Sequence, residues 1–256
     1  MIPKIIHYCW FGRQQKPAIV LKCIESWKKY CPDWKIIEWN ESNFDVAQNP
    51  YMKEAYERKK WAFVSDVARL LLVYNYGGVY LDTDVELYAS LNELLTESAF
   101  FIFESDVYIN TGVGFGCEKE HKSVGAMLHY YDNRNFIKNG KINTKPCPAG
   151  NTEALKDAYA DFDPNGKGQR FEGVRILSTK EYQFFAEHHG AASWCSSVKR
   201  RGTYKDTWLK RFMRNPSRVG RIEKLFGRQI VHLYIFIAYD LLENGMIYYI
   251  KSFFRN

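Results

Sequence analysis

Two aspartates separated by one residue, Asp82 and Asp84, are the side chains of this sequence best suited to hold a cation. They directly follow Val79-Tyr80-Leu81, an apolar run that predicts a short buried strand. Residues two apart in an extended chain point to the same side, so the two carboxylates converge and repel each other unless a cation or proton intervenes. Mg²⁺ and Mn²⁺ take oxygen ligands and leave positions for phosphate oxygens, so the pair suits a diphosphate. The alternative is a solvated turn after a strand, because this spacing alone is common.

A second group of polar side chains precedes the aspartates on a predicted helix. Asp66 and Arg69 are three residues apart, which places them on one helix face. Such a pair is able to hold the hydroxyl groups of a ribose or a sugar, although a surface salt bridge is the simpler alternative. Tyr80 alternates with Leu81 and should therefore point to the same side as Asp82, unless it belongs to the core.

The elements that must position these residues begin as alternating strands and helices. Residues 4–10 predict a buried strand, Pro17–Tyr30 a helix with an apolar stripe, and Trp34–Trp39 a second strand. Residues 51–76 lack Gly and Pro and repeat apolar positions every three or four residues, which predicts one long helix ended by Gly77-Gly78. This order predicts an α/β fold. Further strands are predicted at 99–104, 113–117 and Val174–Leu177, further helices around 121–132 and 152–160, and a surface loop at 163–168.

The positive charge of the chain is concentrated near its C-terminus. Residues 199–256 hold 13 Lys+Arg and 4 Asp+Glu, whereas the other 198 residues hold 23 and 25. We therefore divide the chain into a catalytic domain at 1–198 and a basic helical segment at 199–256, with helices at Lys199–Phe212 and Arg218–Phe226. The apolar run 230–239 is too short to cross the roughly 30 Å hydrocarbon core of a membrane. The segment suits an anionic lipid surface, or it packs on the domain.

The cysteines and the N-terminus indicate an intracellular protein. The six cysteines form no C-x-x-C pair, and their spacing does not indicate zinc or a disulfide framework. The first residues lack a basic region followed by a long apolar stretch, so we expect no signal peptide and a cytoplasmic location.

Several stretches resemble one known family. The stretch F-V-S-D-V-A-R-L-L-L-V-Y-N-Y-G-G-V-Y-L-D-T-D-V, residues 63–85, closely resembles the DXD sugar-binding region of glycosyltransferase family 32. That family includes yeast-type initiating mannosyltransferases and many bacterial capsule and exopolysaccharide enzymes, and it is distantly similar to the glucosyltransferase domains of large clostridial toxins. The resemblance covers roughly residues 1–195, because four more stretches follow the family in the expected order: 2–12, 26–40, 109–116 and 188–194.

The resemblance implies a GT-A fold, an α/β sandwich with a Rossmann-like nucleotide-binding half. It implies a UDP- or GDP-sugar donor, a Mn²⁺ or Mg²⁺ ion and retention of the anomeric configuration. It also implies roles for individual residues. Trp10 would stack on the base, Asp66 and Arg69 would hold the donor sugar, Tyr80 would lie by the ribose or sugar, Asp82 would contact the ribose or the metal through water, and Asp84 would ligate the metal directly, while His188 or His189 would complete the site with Ser193 and Trp194.

Two assignments stay open in the sequence. Imidazole, hydroxyl and carboxylate groups can share a Mn²⁺ ion, and of the two histidines we favour His188 as the ligand over His189. Asn110-Thr111 offers an amide and a hydroxyl suited to sugar hydroxyls, or forms a simple turn.

These observations support three functional hypotheses. The first is a retaining, metal-dependent glycosyltransferase of bacterial surface polysaccharide synthesis that acts on a glycan or lipid-linked glycan acceptor. The second is a membrane- or nucleic-acid-binding module that uses residues 199–256 and carries a non-catalytic sugar-nucleotide site. We join the two as an enzyme docked on the inner face of the cell membrane, and we expect no nucleic acid partner. The third hypothesis is a metal-dependent phosphoester hydrolase, which would need more clustered ligands than this sequence shows.

Overall fold

A mixed β-sheet organises the residues that the computed structural model describes, which are 1–132, 134–138, 140–143 and 146–190. Neighbouring strands are parallel, except that the fourth and the last strand in spatial order run antiparallel to their neighbours. The carboxyl ends of five strands therefore meet at one edge, which is where ligands of open α/β sheets bind. In spatial order the strands are β2 (Lys35–Trp39), β1 (Ile5–Cys9), β3 (Gly78–Tyr80), β6 (Phe115–Cys117), β5 (Ala99–Ile102), β10 (Val174–Leu177) and β9 (Gln169–Phe171).

Helices and short strands surround this sheet, as the predicted α/β class requires. One two-stranded sheet pairs β4 with β11, and another pairs β7 with β8. The remaining elements of the described residues are α1 (Ala18–Tyr30), α2 (Pro50–Glu57), α3 (Trp61–Tyr76), β4 (Val85–Leu87), α4 (Lys122–Asp132), β7 (Ile137–Lys138), β8 (Lys141–Ile142), α5 (Cys147–Ala158), α6 (Thr179–Tyr182), β11 (Ala186–His188) and 3-10 helices at Val46–Gln48 and Leu91–Thr96.

Each face of the sheet carries its own apolar core, because alternate residues of a strand point to opposite faces. In β1, Ile6 and Tyr8 pack with Trp27 of α1 on one face. Cys9 of the same strand belongs to the other core, which includes Val67 of α3. The two cores therefore hold α1 and α3 on opposite faces of the sheet.

His7 is a buried polar link between β1 and its neighbours. Its Nε2 lies 2.8 Å from the Gly77 carbonyl oxygen, and the Trp39 Nε1–H donates to its Nδ1 at 3.1 Å. Burial lowers the pKa of His7 to about 4, although the Gly77 contact opposes this. A neutral imidazole with one N–H satisfies both contacts, so His7 joins the end of α3 to β2 without a buried charge.

The single helix predicted for residues 51–76 is wrong, since the chain forms α2 and α3 with a break between them. Lys59 adopts a left-handed conformation with φ of 56°. Its N–H donates to the Tyr56 carbonyl, and the Lys60 N–H donates to the Ala55 carbonyl at 3.0 Å. These contacts are typical of a helix C-terminus, which glycine usually marks. A lysine occupies the position instead, so the sequence carried no signal for the break.

The basic segment 199–256 lies outside the described residues. Its two predicted helices and the domain boundary at 198 therefore stay predictions. Among the described helices, none combines the length and the apolar character needed to cross a membrane.

Candidate metal centre

The aspartate pair lies where β3 ends at the sheet edge. Two glycines with positive φ, Gly77 and Gly78, turn the chain from α3 into the sheet. The Leu81 N–H then donates to the His7 carbonyl, and the Asp82 N–H donates to the Gly112 carbonyl at 3.0 Å. Backbone hydrogen bonds on both sides therefore fix the start of the pair.

Asp84 reaches Asp82 through a turn and not through the extended chain that the spacing predicts. The Val85 N–H donates to the Asp82 carbonyl at 3.0 Å, which closes a turn over residues 82–85. The predicted convergence of the two carboxylates is confirmed, but its cause is different.

A histidine from a distant part of the chain completes the group. Ligand atoms of Asp82, Asp84 and His188 all lie within 4.8 Å of one another. His188 Nε2 is 3.3 Å from Asp84 Oδ1, because β11 pairs antiparallel with β4 and places His188 opposite Val85. Burial opposes the protonated imidazole, but the carboxylates of Asp84 and Asp82 outweigh it and raise the pKa of His188. Two carboxylates and one imidazole form a donor set that suits Mn²⁺ or Mg²⁺.

His189, also predicted as a metal ligand, points elsewhere. Its Nε2 lies 3.0 Å from Glu86 Oε2, and Lys22 Nζ is 2.8 Å from the same oxygen. Successive residues of an extended segment project to opposite sides, so only one of two adjacent histidines can face Asp84. The assignment of His189 is corrected, and the preference for His188 agrees with the geometry.

Arg69 stands directly behind Asp82. Its Nη2 is 2.9 Å from Asp66 Oδ1 and 3.5 Å from Asp82 Oδ1, and its Nε–H donates to the Ser65 carbonyl at 2.9 Å. Only 4% of its side chain is exposed, so the pair with Asp66 is not the surface salt bridge considered above. Burial works against the charged guanidinium, but Asp82, Tyr80 and Asp66 raise its pKa well above the ordinary value.

Tyr80 also contacts this group, as the strand alternation predicts. Its hydroxyl donates to Asp82 Oδ1 at 3.0 Å, and its ring lies 5.1 Å from the Arg69 guanidinium carbon. Burial raises the pKa of Asp82, and Asp84 raises it further, although Arg69 opposes both. Burial also raises the pKa of Asp66 against the effect of Arg69. The carboxylates are thus held in a partly desolvated place where a further cation would be favourable.

The segment after Ile109 borders the site next to Asp82. Asn110 Oδ1 accepts from the Gly112 N–H at 2.7 Å. Thr111 is fully buried and its hydroxyl accepts from Asn151 Nδ2 at 3.0 Å, so it supports the site and does not face the opening, contrary to its predicted contact with donor hydroxyls. Gly112, which follows Asn110-Thr111, was not predicted as a site residue, yet a Cβ there would lie 2.3 Å from Asp82 Oδ2.

The remaining predicted site residues lie at the sheet edge or outside the residues that the structure describes. Trp10 follows β1 at the same sheet edge and is half-buried, with its Nε1–H donating to the Gln14 carbonyl at 2.7 Å. Its stacking on a base stays a prediction, as do the donor-sugar contacts of Asp66, Arg69 and Asn110. Ser193 and Trp194 lie outside the described residues.

Comparison with a known fold agrees with this architecture. The solved structure of the PaToxG glycosyltransferase superposes with a TM-score of 0.51 at 17% identity, over 62% of this chain and 70% of that one. The predicted GT-A glycosyltransferase fold is thereby confirmed.

Comparisons of sequence match the part of the chain that contains the two aspartates to a known family. Residues 17–101 match the family described as the glycosyltransferase sugar-binding region containing a DXD motif. Inositol phosphoceramide mannosyltransferase 1 of Schizosaccharomyces pombe is 24% identical over 54% of this chain and 46% of its own length. Inositol phosphoceramide mannosyltransferase 3 of the same yeast is 30% identical over 47% of this chain and 34% of its own length. The chain spans less than half the length of these relatives. Over residues 17–101 the chain is thus similar to the sugar-binding region of DXD-containing glycosyltransferases.

Proposed function

We propose that this protein is a metal-dependent glycosyltransferase that moves a sugar from a nucleotide-diphosphate sugar to a glycan or lipid-linked glycan. The observation that carries the proposal is the convergence at the carboxyl edge of the sheet of Asp82 and Asp84, which lie inside the matched sugar-binding region, with His188, which lies outside it. The metal ligands would be Asp84 and His188, with Asp82 bound directly or through water. A divalent cation there would neutralise the diphosphate as it departs.

The residues behind the carboxylates keep the site in a fixed shape. Arg69 is held by Asp66 and Ser65, and it presents its charge to Asp82 from a buried position. Tyr80 donates to the same Asp82 oxygen. Groups that are already oriented before the reaction contribute most to the stabilisation of developing charge. Asp82 is therefore positioned for a ribose, a metal-bound water or the metal itself.

We propose the retaining route. The acceptor oxygen bonds to the anomeric carbon on the face that the nucleotide leaves, and the bond to the diphosphate oxygen breaks. The departing phosphate takes the acceptor proton, so no protein base is assigned. The resemblance to retaining enzymes supports this route, and the configuration of the product distinguishes it from inversion.

The cellular setting that we propose is bacterial capsule or exopolysaccharide synthesis on the inner face of the membrane. Its support is the family resemblance and the charge of residues 199–256. Co-sedimentation of the full chain with anionic liposomes, lost at high salt, is the expected result. Binding to nucleic acid without binding to liposomes would contradict membrane docking.

The substitution Asp84→Asn tests the proposed activity. It removes a metal ligand while it keeps the size of the side chain, so turnover of a nucleotide sugar with Mn²⁺ should fall by at least about 100-fold. Asp33→Asn is the control, because Asp33 is exposed and its ion pair among the described residues is with Lys4. Donors are first chosen by thermal shift with UDP- and GDP-sugars, with and without Mn²⁺. Unchanged turnover in Asp84→Asn would refute the proposal.

A further inference from the structure

A charged cluster lies beside Trp10 at the ends of β1 and β2, apart from the metal centre. Glu38 Oε2 accepts from the Tyr8 hydroxyl at 2.6 Å and lies 2.8 Å from Lys16 Nζ. Glu38 Oε1 accepts from Asn40 Nδ2 at 3.2 Å. Lys16 Nζ lies 5.7 Å from the centre of the Trp10 ring. One carboxylate and one ammonium group therefore border the aromatic ring that we expect to stack on a base.

The strand pairing places this cluster and the aspartates at the same edge of the sheet. Tyr8 of β1 is in register with Glu38 of β2, and β1 also neighbours β3, which leads to Asp82. Neighbouring strands lie about 4.8 Å apart, so β2 and β3 are separated by about 10 Å. A nucleoside diphosphate spans a comparable length from its base to its phosphates. With the phosphates at Asp82 and Asp84, we therefore expect the base to reach Glu38.

We propose that Glu38 and Lys16 read the base of the donor nucleotide and select guanine over uracil. The inference rests on the proposed function. Guanine presents two adjacent N–H donors, at N1 and N2, next to the carbonyl acceptor O6. A carboxylate accepts from both donors, while an ammonium group donates to O6. Uracil presents one N–H between two carbonyl oxygens, so a carboxylate facing it meets at least one oxygen, and this repulsion discriminates against it.

Glu38 has both the charge and the free capacity for this contact. Burial opposes ionisation, but the contacts from Lys16, Tyr8 and Asn40 lower the pKa of Glu38 below its ordinary value. A carboxylate offers about four acceptor positions, and the three contacts seen leave one. When Lys16 moves from Glu38 to the base carbonyl, a second position is released. The side chains of Lys16 and Glu38 are 23% and 29% exposed, so a base can reach both.

The experiment measures the affinities of GDP and UDP, each with Mn²⁺, by calorimetry on the full chain. Wild-type protein should bind GDP roughly 10- to 100-fold more tightly than UDP, the discrimination typical of one bidentate base contact. In Glu38→Gln the ratio should fall towards one, because an amide N–H₂ group would face the guanine donors. Glu25→Gln is the matched control, since Glu25 forms the same kind of pair with Lys28 at 2.7 Å on α1, and it should keep the wild-type ratio.

Three results separate the possible failures. Equal affinities in the wild type, or an unchanged ratio in a folded Glu38→Gln variant, would overturn the base assignment while leaving the glycosyltransferase proposal intact. If Glu38→Gln does not fold, Lys16→Gln replaces it, and unchanged GDP affinity in that variant would overturn the assignment. Binding of neither nucleotide to the wild type would refute the proposed function itself, and the inference with it.

Discussion

The substitution Gly112→Ala should disable the metal centre by adding a single methyl group. A Cβ at residue 112 would lie 2.3 Å from Asp82 Oδ2, 2.6 Å from Arg69 Nη1 and 3.1 Å from Asn110 Oδ1. The φ of Gly112 lies outside the left-handed region, so alanine meets no special backbone penalty there. Steric contact with the site is therefore the main effect of the change.

The size of the effect follows from which neighbour can yield. Ordinary contact begins at 3.4 Å, so the Asp82 carboxylate has to withdraw by about 1 Å. Arg69 is almost fully buried and held by Asp66 and Ser65, whereas 28% of the Asp82 side chain is exposed, so Asp82 yields more than Arg69 does. A displacement of about 1 Å in a reacting site costs roughly 100-fold in rate. Overpacking also costs about 1–3 kcal/mol in the free energy of unfolding.

The assay compares two alanine variants. Gly116→Ala is the control, because its Cβ would meet Phe100 Cε1 at 2.7 Å and Val79 Cγ2 at 2.8 Å, both in the sheet and not in the site. Denaturant unfolding should show similar losses of stability in the two variants. Turnover of the nucleotide sugar with Mn²⁺, measured where both are folded, should fall about 100-fold in Gly112→Ala alone.

If Gly112→Ala keeps turnover within about threefold of the wild type while both variants are folded, the position of Asp82 does not control the reaction. If Gly116→Ala loses as much turnover, the loss reflects general overpacking and not the metal centre.

Three further predictions follow from particular contacts. His188→Ala should weaken Mn²⁺ binding in the presence of a nucleoside diphosphate by roughly 10- to 100-fold, whereas His189→Ala should change it little because that ring contacts Glu86; equal effects in calorimetry would contradict the assignment. The pKa of His7 is about 4 in the folded protein and 6.5 in the unfolded chain, so its contribution to the free energy of unfolding is complete above pH 6.5 and is lost as the pH falls towards 4. Denaturant titrations should show about 3 kcal/mol of pH-dependent stability that is missing in His7→Asn. Parallel pH profiles of the two proteins would refute this prediction. Lys59→Gly should raise the free energy of unfolding by about 1 kcal/mol, because glycine adopts φ of 56° without strain, while Lys53→Gly inside α2 should lower it by a similar amount.

The first two strands and the helix between them were predictable from the local pattern of apolar residues. The strands at Ile5–Cys9 and Lys35–Trp39 and the helix Ala18–Tyr30 were predicted to within one or two residues, because each has an apolar period of its own. The break at Lys59 was not predictable, since lysine in a left-handed conformation looks like any helical lysine in the sequence.

The sequence by itself identified the acidic side chains of the candidate site. The two aspartates, the helix pair of Asp66 and Arg69, and the resemblance to a DXD region were sufficient to predict a cation and a nucleotide sugar. The residues within each pair are two or three apart in sequence, so each pair stays close together whatever the rest of the chain does.

Only the tertiary structure decided how the site closes. The choice of His188 over His189 depends on the pairing of β11 with β4, about 100 residues apart in sequence. The role of Gly112 depends on a loop that places its backbone against Asp82. Both are contacts between distant segments, whose register and approach follow from packing and have no counterpart in local residue spacing.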